Sequence, residues 1–138
     1  MASRTVRIKR VYEPKEKTDG CRVLVDRLWP RGLTREKAAI DRWLKELGPS
    51  TELRKWFDHR TDRWQEFTRR YRRELAGPAV RPLLKELAAM AAAGPLTLVY
   101  SAHDEAHNQA VVIAQLLRAR LSRVKRPLAK AARASTKG

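Results

Sequence analysis

Several common signatures are missing from this sequence of 138 residues. It holds one cysteine, which excludes a disulfide scaffold and argues against a zinc site built from cysteines. No apolar run approaches the roughly 20 residues of a transmembrane helix, and no apolar segment follows the basic first ten residues, as a secretory signal requires. We therefore expect a soluble cytoplasmic protein without a membrane partner, in which Cys21 is a small, partly buried residue.

Motifs that bind cofactors or carry catalysis are also missing. The sequence contains no P-loop, no GxGxxG, no GxSxG and no CxxC. His103 and His107 stand one helical turn apart, but without a third ligand in evidence they do not predict a metal site. We expect no cofactor and no metal, and the sequence leaves open whether the protein is an enzyme.

Acidic residues are scarce: the sequence has 15 Asp and Glu residues against 31 Lys and Arg residues, which gives a net charge of +16. The stretch from Arg118 to Gly138 contains basic residues and no acidic one. We predict a single domain over residues 1–118 and a basic, disordered tail over 119–138. Such a tail attracts phosphate backbones without sequence preference, or serves only solubility. Its candidate nucleic-acid contacts are Arg123, Lys125, Arg126 and Lys130.

Hydrophobic patterning predicts strands and helices in an order typical of an α/β domain. Thr5–Tyr12 alternates apolar and basic residues, and Cys21–Leu28 is rich in Val and Leu, so both are expected strands. Leu96–Ser101 is continuously apolar, which favours a strand covered on both faces. The predicted fold is one small α/β domain with a short, at least partly parallel sheet of three or four strands.

Helices are expected mainly between the second and third of these strands. The spacing of apolar residues and the capping residues predict helices from Thr34 to Leu47, from Ser50 or Thr51, from Thr61 or Asp62, and from Val80 to Ala93. Together they form a helical insert that serves as a right-handed crossover. A last helix is expected to begin at Asp104 as its N-cap.

Two polar clusters follow predicted strands, where ligands of open α/β sheets usually bind. In the first, Arg27 and Arg31 could hold a phosphate or carboxylate, and Trp29 could stack on a base or form a pocket wall. Asp26 could act as a base or orient another group, or it could simply pair with Arg27. In the second cluster, His103 and His107 could each move protons near neutral pH, and Asp104 is a further acid–base candidate. Ser101 and Asn108 complete the candidate anion site.

Three segments resemble the YeaO-like proteins, a bacterial family of unknown function. They are VLVDRLWPRGL at Val23–Leu33, WFDHRTDRWQEF at Trp56–Phe67 and LTLVYSAHDEAHNQA at Leu96–Ala110. The resemblance covers roughly residues 5–117 and implies a compact α/β domain without an established activity. The motif positions fall on Asp26, Arg27, Trp29, Pro30, Arg31, Gly32, Trp56, His59, Trp64, Asp104 and Asn108.

Two positions depart from that family pattern. Relatives tend to carry Lys or Arg where this chain has His103, so an anion held there would be held weakly and with pH dependence. More distant relatives carry a cysteine near the end of the last strand, where Tyr100 and Ser101 stand here. Thiol chemistry is therefore not expected.

The sequence leaves three functional hypotheses. The first is an anion- or phosphate-recognising domain that binds or acts on a nucleotide or nucleic acid. The second is an enzyme that uses an Asp or His acid–base group and an arginine clamp on a phosphorylated or carboxylated small molecule. The third is a non-enzymatic protein-interaction module. The oligomeric state cannot be read from the sequence.

Overall fold

The computed structural model describes residues 6–122, which form a four-stranded, all-parallel sheet. The strands are β1 (Val6–Arg10), β2 (Cys21–Leu24), β3 (Arg42–Trp43) and β4 (Leu96–Tyr100), in the order β1-β4-β2-β3. All five residues of the central strand β4 are buried, as its continuous apolar run predicts. The predicted α/β class is confirmed.

Five helices accompany the sheet in the described part of the chain. They are α1 (Arg35–Ala38), α2 (Thr51–Phe57), α3 (Trp64–Leu75), α4 (Arg81–Ala93) and α5 (residues 109–122). Ser50 caps α2 as predicted, because its Oγ accepts a hydrogen bond from the Leu53 amide at 3.1 Å. None of these helices is both long enough and apolar enough to cross a membrane.

The larger core lies on one face of the sheet. Alternate strand residues such as Val6, Val23 and Leu98 pack there against α2 to α5. Helix α3 contributes Phe67, Tyr71 and Leu75, and their spacing of four residues places all three on one side of the helix. This core fixes α2, α3 and α5 around the carboxyl ends of β2 and β4.

The opposite face of the sheet is smaller and partly polar. Val11, Leu24, Ala38 and Val99 form its apolar half. In its polar half, the fully buried Arg22 donates to Asp19 Oδ2 at 2.8 Å and to the carbonyl oxygens of Ala38 and Ala39 at 3.0 Å each. A buried guanidinium is tolerated here because an anion and two carbonyl groups receive its N–H groups.

The predicted helix over Thr34–Leu47 is wrong beyond its first turn. Thr34 caps α1 as expected, by accepting from the Lys37 amide, but α1 ends at Ala38, because the C-cap Ala39 adopts a left-handed conformation with φ 50°. The chain then turns back to β2, and the Asp41 carboxylate accepts from the Arg22 amide at 2.8 Å. Residues 42–43 form β3. The long helical insert therefore lies between β3 and β4.

The last helix also begins later than predicted. Residues 105–108 are bends, and Asn108 rather than Asp104 stands before α5, where its Oδ1 accepts from the Val111 amide at 3.2 Å. At its other end, α5 continues through residue 122 and buries Leu121. Residues 119–122 of the predicted tail are thus helical. Arg123, Lys125, Arg126 and Lys130 lie outside the described residues.

Candidate functional site

A pocket of about 580 Å³ lies at the carboxyl ends of β2 and β4. Its walls come from the segment after β2 (residues 26–31), the segment after β4 (101–109) and the end of α2 (54–59). The two polar clusters of the sequence therefore converge, as they must when parallel strands end at the same edge. Both the volume and the position are typical of ligand sites in α/β proteins.

Asp26 is the most buried charged residue of this pocket, with 7% of its surface exposed. Its Oδ2 accepts from the Ser101 amide at 3.0 Å and from the Ser101 hydroxyl at 2.5 Å, and its Oδ1 accepts from the Gln109 side-chain amide. Burial raises the pKa of Asp26, and the hydrogen bonds from Ser101 and Gln109 offset part of that rise. Within residues 6–122, Asp26 forms no salt bridge.

Arg27 lines the pocket, but it binds the loop before α2 and not Asp26. Its Nε donates to the Pro49 carbonyl at 3.0 Å, and its Nη2 donates to the Gly48 carbonyl at 2.8 Å. The loop approaches closely: a Cβ at Gly48 would lie 2.8 Å from the Arg27 backbone nitrogen. The alternative that Asp26 pairs with Arg27 is therefore wrong, and Arg27 positions α2 beside the pocket.

Trp29 also lines the pocket, and its ring is tied to the turn that carries it. The indole N–H donates to the Leu33 carbonyl at 2.8 Å, and the ring meets Trp43 edge-on at 5.4 Å between centroids. The Arg35 guanidinium lies 5.9 Å from the ring centroid. Trp29 is thus a fixed wall, held by one hydrogen bond and two ring contacts.

The charge of the pocket is mainly positive. Arg31, Arg54 and Lys55 line it with exposed side chains, beside the partly buried Arg27. None of the four forms a salt bridge in the part of the chain that the structure describes. The acidic lining residues are Asp26, whose pKa is raised, and Asp58. Within residues 6–122, these cations therefore line the pocket without a carboxylate paired to any of them.

Of the histidines after β4, His107 and not His103 lines the pocket. His107 Nδ1 lies 2.9 Å from Asp104 Oδ2, while Asp104 Oδ1 accepts from the amides of Ala106 and His107 at 2.9 and 3.0 Å. The hydrogen bond with the His107 side chain and those from the two amides lower the pKa of Asp104. Asp104 therefore orients His107 from outside the pocket, and His103 is exposed and away from it.

Ser101 and Asn108 both line the pocket, and both make hydrogen bonds that hold the loop after β4. Ser101 binds Asp26, and the Asn108 side chain donates to the Asp104 carbonyl at 2.9 Å. Asp58 and His59 at the end of α2 both have positive φ, 47° and 56°, in the left-handed region that Asp and His tolerate better than most residues. This left-handed pair turns the chain back along the pocket.

Sequence reasoning missed Gln109, Arg54 and Lys55. Gln109 lies in the first turn of α5 and donates to Asp26. Predicting this contact would have required placing the start of α5 correctly. Arg54 and Lys55 are exposed positions of a short amphipathic helix, and only the packing of α2 against the sheet edge places them on the pocket. Within residues 6–122, no group of three His, Cys, Asp or Glu side chains could hold a metal ion.

Comparison with known proteins shows the family to which the chain belongs. A family model, DUF488-N3i, described as the inactive DUF488-N3 subclade, matches residues 5–137. The chain belongs to this family. It is also 47% identical to the uncharacterized protein YeaO of Escherichia coli K12 over 113 residues, which are 82% of this chain and 96% of YeaO.

A mycobacterial relative is similar over the same extent. The uncharacterized protein Rv3073c of Mycobacterium tuberculosis H37Rv is 40% identical over 115 residues, 83% of this chain and 95% of its own. These matches confirm the resemblance to YeaO-like proteins. No solved structure matches the chain significantly.

Proposed function

We propose that this domain binds a phosphorylated ligand of the nucleotide class in the pocket at the carboxyl edge of its sheet. One observation carries the proposal: Arg31, Arg54 and Lys55 converge on a pocket of ligand size without forming salt bridges within residues 6–122. Guanidinium and ammonium groups are the side chains that bind phosphate best. The phosphate would complete the charge balance of the pocket.

The family description supports binding over catalysis. The matched subclade is described as inactive, and Asp26, the buried carboxyl group of the pocket, is occupied by three donors from Ser101 and Gln109. A carboxyl group so engaged holds the loop after β4 in place. We therefore assign Asp26 to the positioning of the pocket wall, and the phosphate contacts to the cations.

Thermal stability in the presence of ligand tests this function. The full chain is heated with inorganic phosphate or with each of the nucleoside monophosphates, at low ionic strength. A ligand that binds the native state raises the melting temperature, and Arg31→Gln should abolish most of this rise. Arg81→Gln removes an exposed cation that does not line the pocket and serves as the matched control. The proposal would be refuted if no ligand raised the melting temperature, or if Arg31→Gln and Arg81→Gln showed the same rise.

An enzyme acting on the same ligand class is the second candidate. It is favoured by His107, whose Nδ1 is held by Asp104, and by Asp26, whose pKa is raised by burial on the same pocket. The Asp and His predicted as acid–base groups would then be Asp26 and His107. Incubation of the protein with phosphorylated metabolites tests it: turnover that His107→Gln removes, without loss of ligand binding, would replace the binding-only proposal.

A further inference from the structure

A second basic surface lies on α3, outside the pocket. Arg63, the residue before α3, and Glu66, Arg70 and Arg73 within it recur every three or four residues and so share one side. The single carboxylate of Glu66 receives both Arg69 and Arg70, at 2.6 and 2.7 Å. One negative charge thus meets two positive ones, and Arg73 adds an exposed cation without a salt bridge among the described residues. Arg69 joins this side through its salt bridge with Glu66, and we name Arg63, Arg69, Arg70 and Arg73 the α3 basic face.

Trp56 of α2 holds two of these arginines in place. The guanidinium carbons of Arg63 and Arg70 lie 5.0 and 4.3 Å from the centroid of its ring. Arg63 also donates to the Trp56 carbonyl oxygen. A guanidinium group packed on an aromatic ring is partly immobilised while its in-plane N–H groups remain available to oxygen acceptors. Arg63 and Arg70 are therefore preorganised, which reduces the entropy lost when they bind an anion.

The chemistry of the face distinguishes a nucleic acid from a membrane. A helix that lies on a membrane exposes large apolar side chains beside its cations. In the described chain, the exposed large apolar residues are Tyr12 and Leu28, and both line the pocket. The α3 basic face carries cations without such residues, a composition suited to phosphate groups in water.

We propose that the α3 basic face binds the phosphodiester backbone of a nucleic-acid strand, without sequence preference. The proposal is independent of the pocket and its ligand, because none of the four arginines lines the pocket. It predicts an affinity that falls steeply with salt, because binding releases counterions from the strand.

The test measures binding of the full chain to a fluorescent, mixed-sequence single-stranded oligonucleotide over a series of salt concentrations. Arg70→Gln/Arg73→Gln is compared with Lys15→Gln/Lys17→Gln, which removes the same charge from exposed residues of the loop before β2. The α3 variant should reduce the slope of log affinity against log salt by roughly 0.7 for each lost phosphate contact, and the loop variant should leave it unchanged. Melting temperatures verify that both variants fold.

Four results would overturn the proposal. Three of them concern the oligonucleotide: absence of binding at low salt, equal losses in both variants, and no loss in either. The fourth comes from the same proteins mixed with vesicles of anionic lipid, and is a loss of vesicle binding in the α3 variant while its oligonucleotide binding is unchanged. Equal losses would mean that net charge alone matters, and no loss would place the binding elsewhere on the chain.

Discussion

Two buried aspartates flank β2, and their surroundings shift the two pKa values in opposite directions. Asp19 precedes the strand with 1% of its surface exposed, and Asp26 follows it with 7%. Burial favours the neutral form of Asp19, but hydrogen bonds from the Glu16 amide, Arg22 and Lys9 outweigh it and lower the pKa. Among residues 6–122, the donors to Asp26 are the neutral groups of Ser101 and Gln109, and burial raises its pKa.

The difference separates the structural end of the strand from the end that we propose binds ligand. At Asp19 the protein supplies its own cations, with Arg22 at 2.8 Å and Lys9 at 3.2 Å. The charge of Asp19 is therefore balanced by protein side chains. Beyond Asp26 the cations face a pocket and form no salt bridge among residues 6–122. Breaking a buried ion pair such as Arg22–Asp19 destabilises the fold, whereas cations that form no salt bridge among residues 6–122 are available to a ligand.

The largest expected contrast is in the free energy of unfolding after substitution of Arg22 or Arg27. Arg22→Met leaves Asp19 without its closest cation, and breaking a buried ion pair costs about 3–5 kcal/mol in the free energy of unfolding. Arg27→Met removes hydrogen bonds to two carbonyl groups, which costs about 1–3 kcal/mol. Urea denaturation measures both. Equal losses would mean that the two ends of β2 do not differ in this way.

A smaller contrast is expected for the aspartates at neutral pH. Asp19→Asn removes the charge that Arg22 and Lys9 require, and should cost about 2–3 kcal/mol. Asp26→Asn keeps the shape and most of the hydrogen bonds if the Gln109 amide rotates, so its unfolding free energy should stay within about 1 kcal/mol of the wild type. The same denaturation experiment applies, and a larger loss in Asp26→Asn would reverse the comparison.

The pH dependence of these variants should have opposite signs. The lowered pKa of Asp19 adds stability above its ordinary value of 3.8, and this is lost as the pH falls through the folded pKa. The destabilisation by Asp19→Asn should therefore fade in acid. The contribution of Asp26 is fully present below 3.8 and is lost as the pH rises through its raised pKa. Relative to the wild type, Asp26→Asn should gain stability from pH 3 to pH 7.

The sequence predicted those parts of the fold whose cause is local. The run at β4 and the spacing of Phe67, Tyr71 and Leu75 contain their own structural signal, and so does the cap at Ser50. The segment after Thr34 could not be predicted, because the left-handed Ala39 and the bond from the Arg22 amide to Asp41 are set by tertiary packing.

In the candidate site too, the residues that could be predicted are those whose position has a local cause. Asp26, Arg31 and Ser101 were placed on the pocket by the strand ends, which the sequence shows. The sequence offered both His103 and His107, and only the structure shows that His107 lines the pocket, because this depends on where α5 begins. Arg54 and Lys55 were missed, because their position depends on how α2 packs. A short charged helix has the same sequence pattern whether it faces solvent or a pocket.

Carbon-13 NMR titration of the two aspartate carboxyl groups tests the central comparison most directly. It is carried out on the full chain, with and without the phosphorylated ligand that gives the largest thermal shift. The comparison predicts that Asp19 titrates below 3.8 and Asp26 above it, and that the ligand raises the pKa of Asp26 further while leaving Asp19 unchanged, because a nearby anion disfavours a second negative charge. An Asp26 that titrates below 3.8, or that does not respond to saturating ligand, would contradict it.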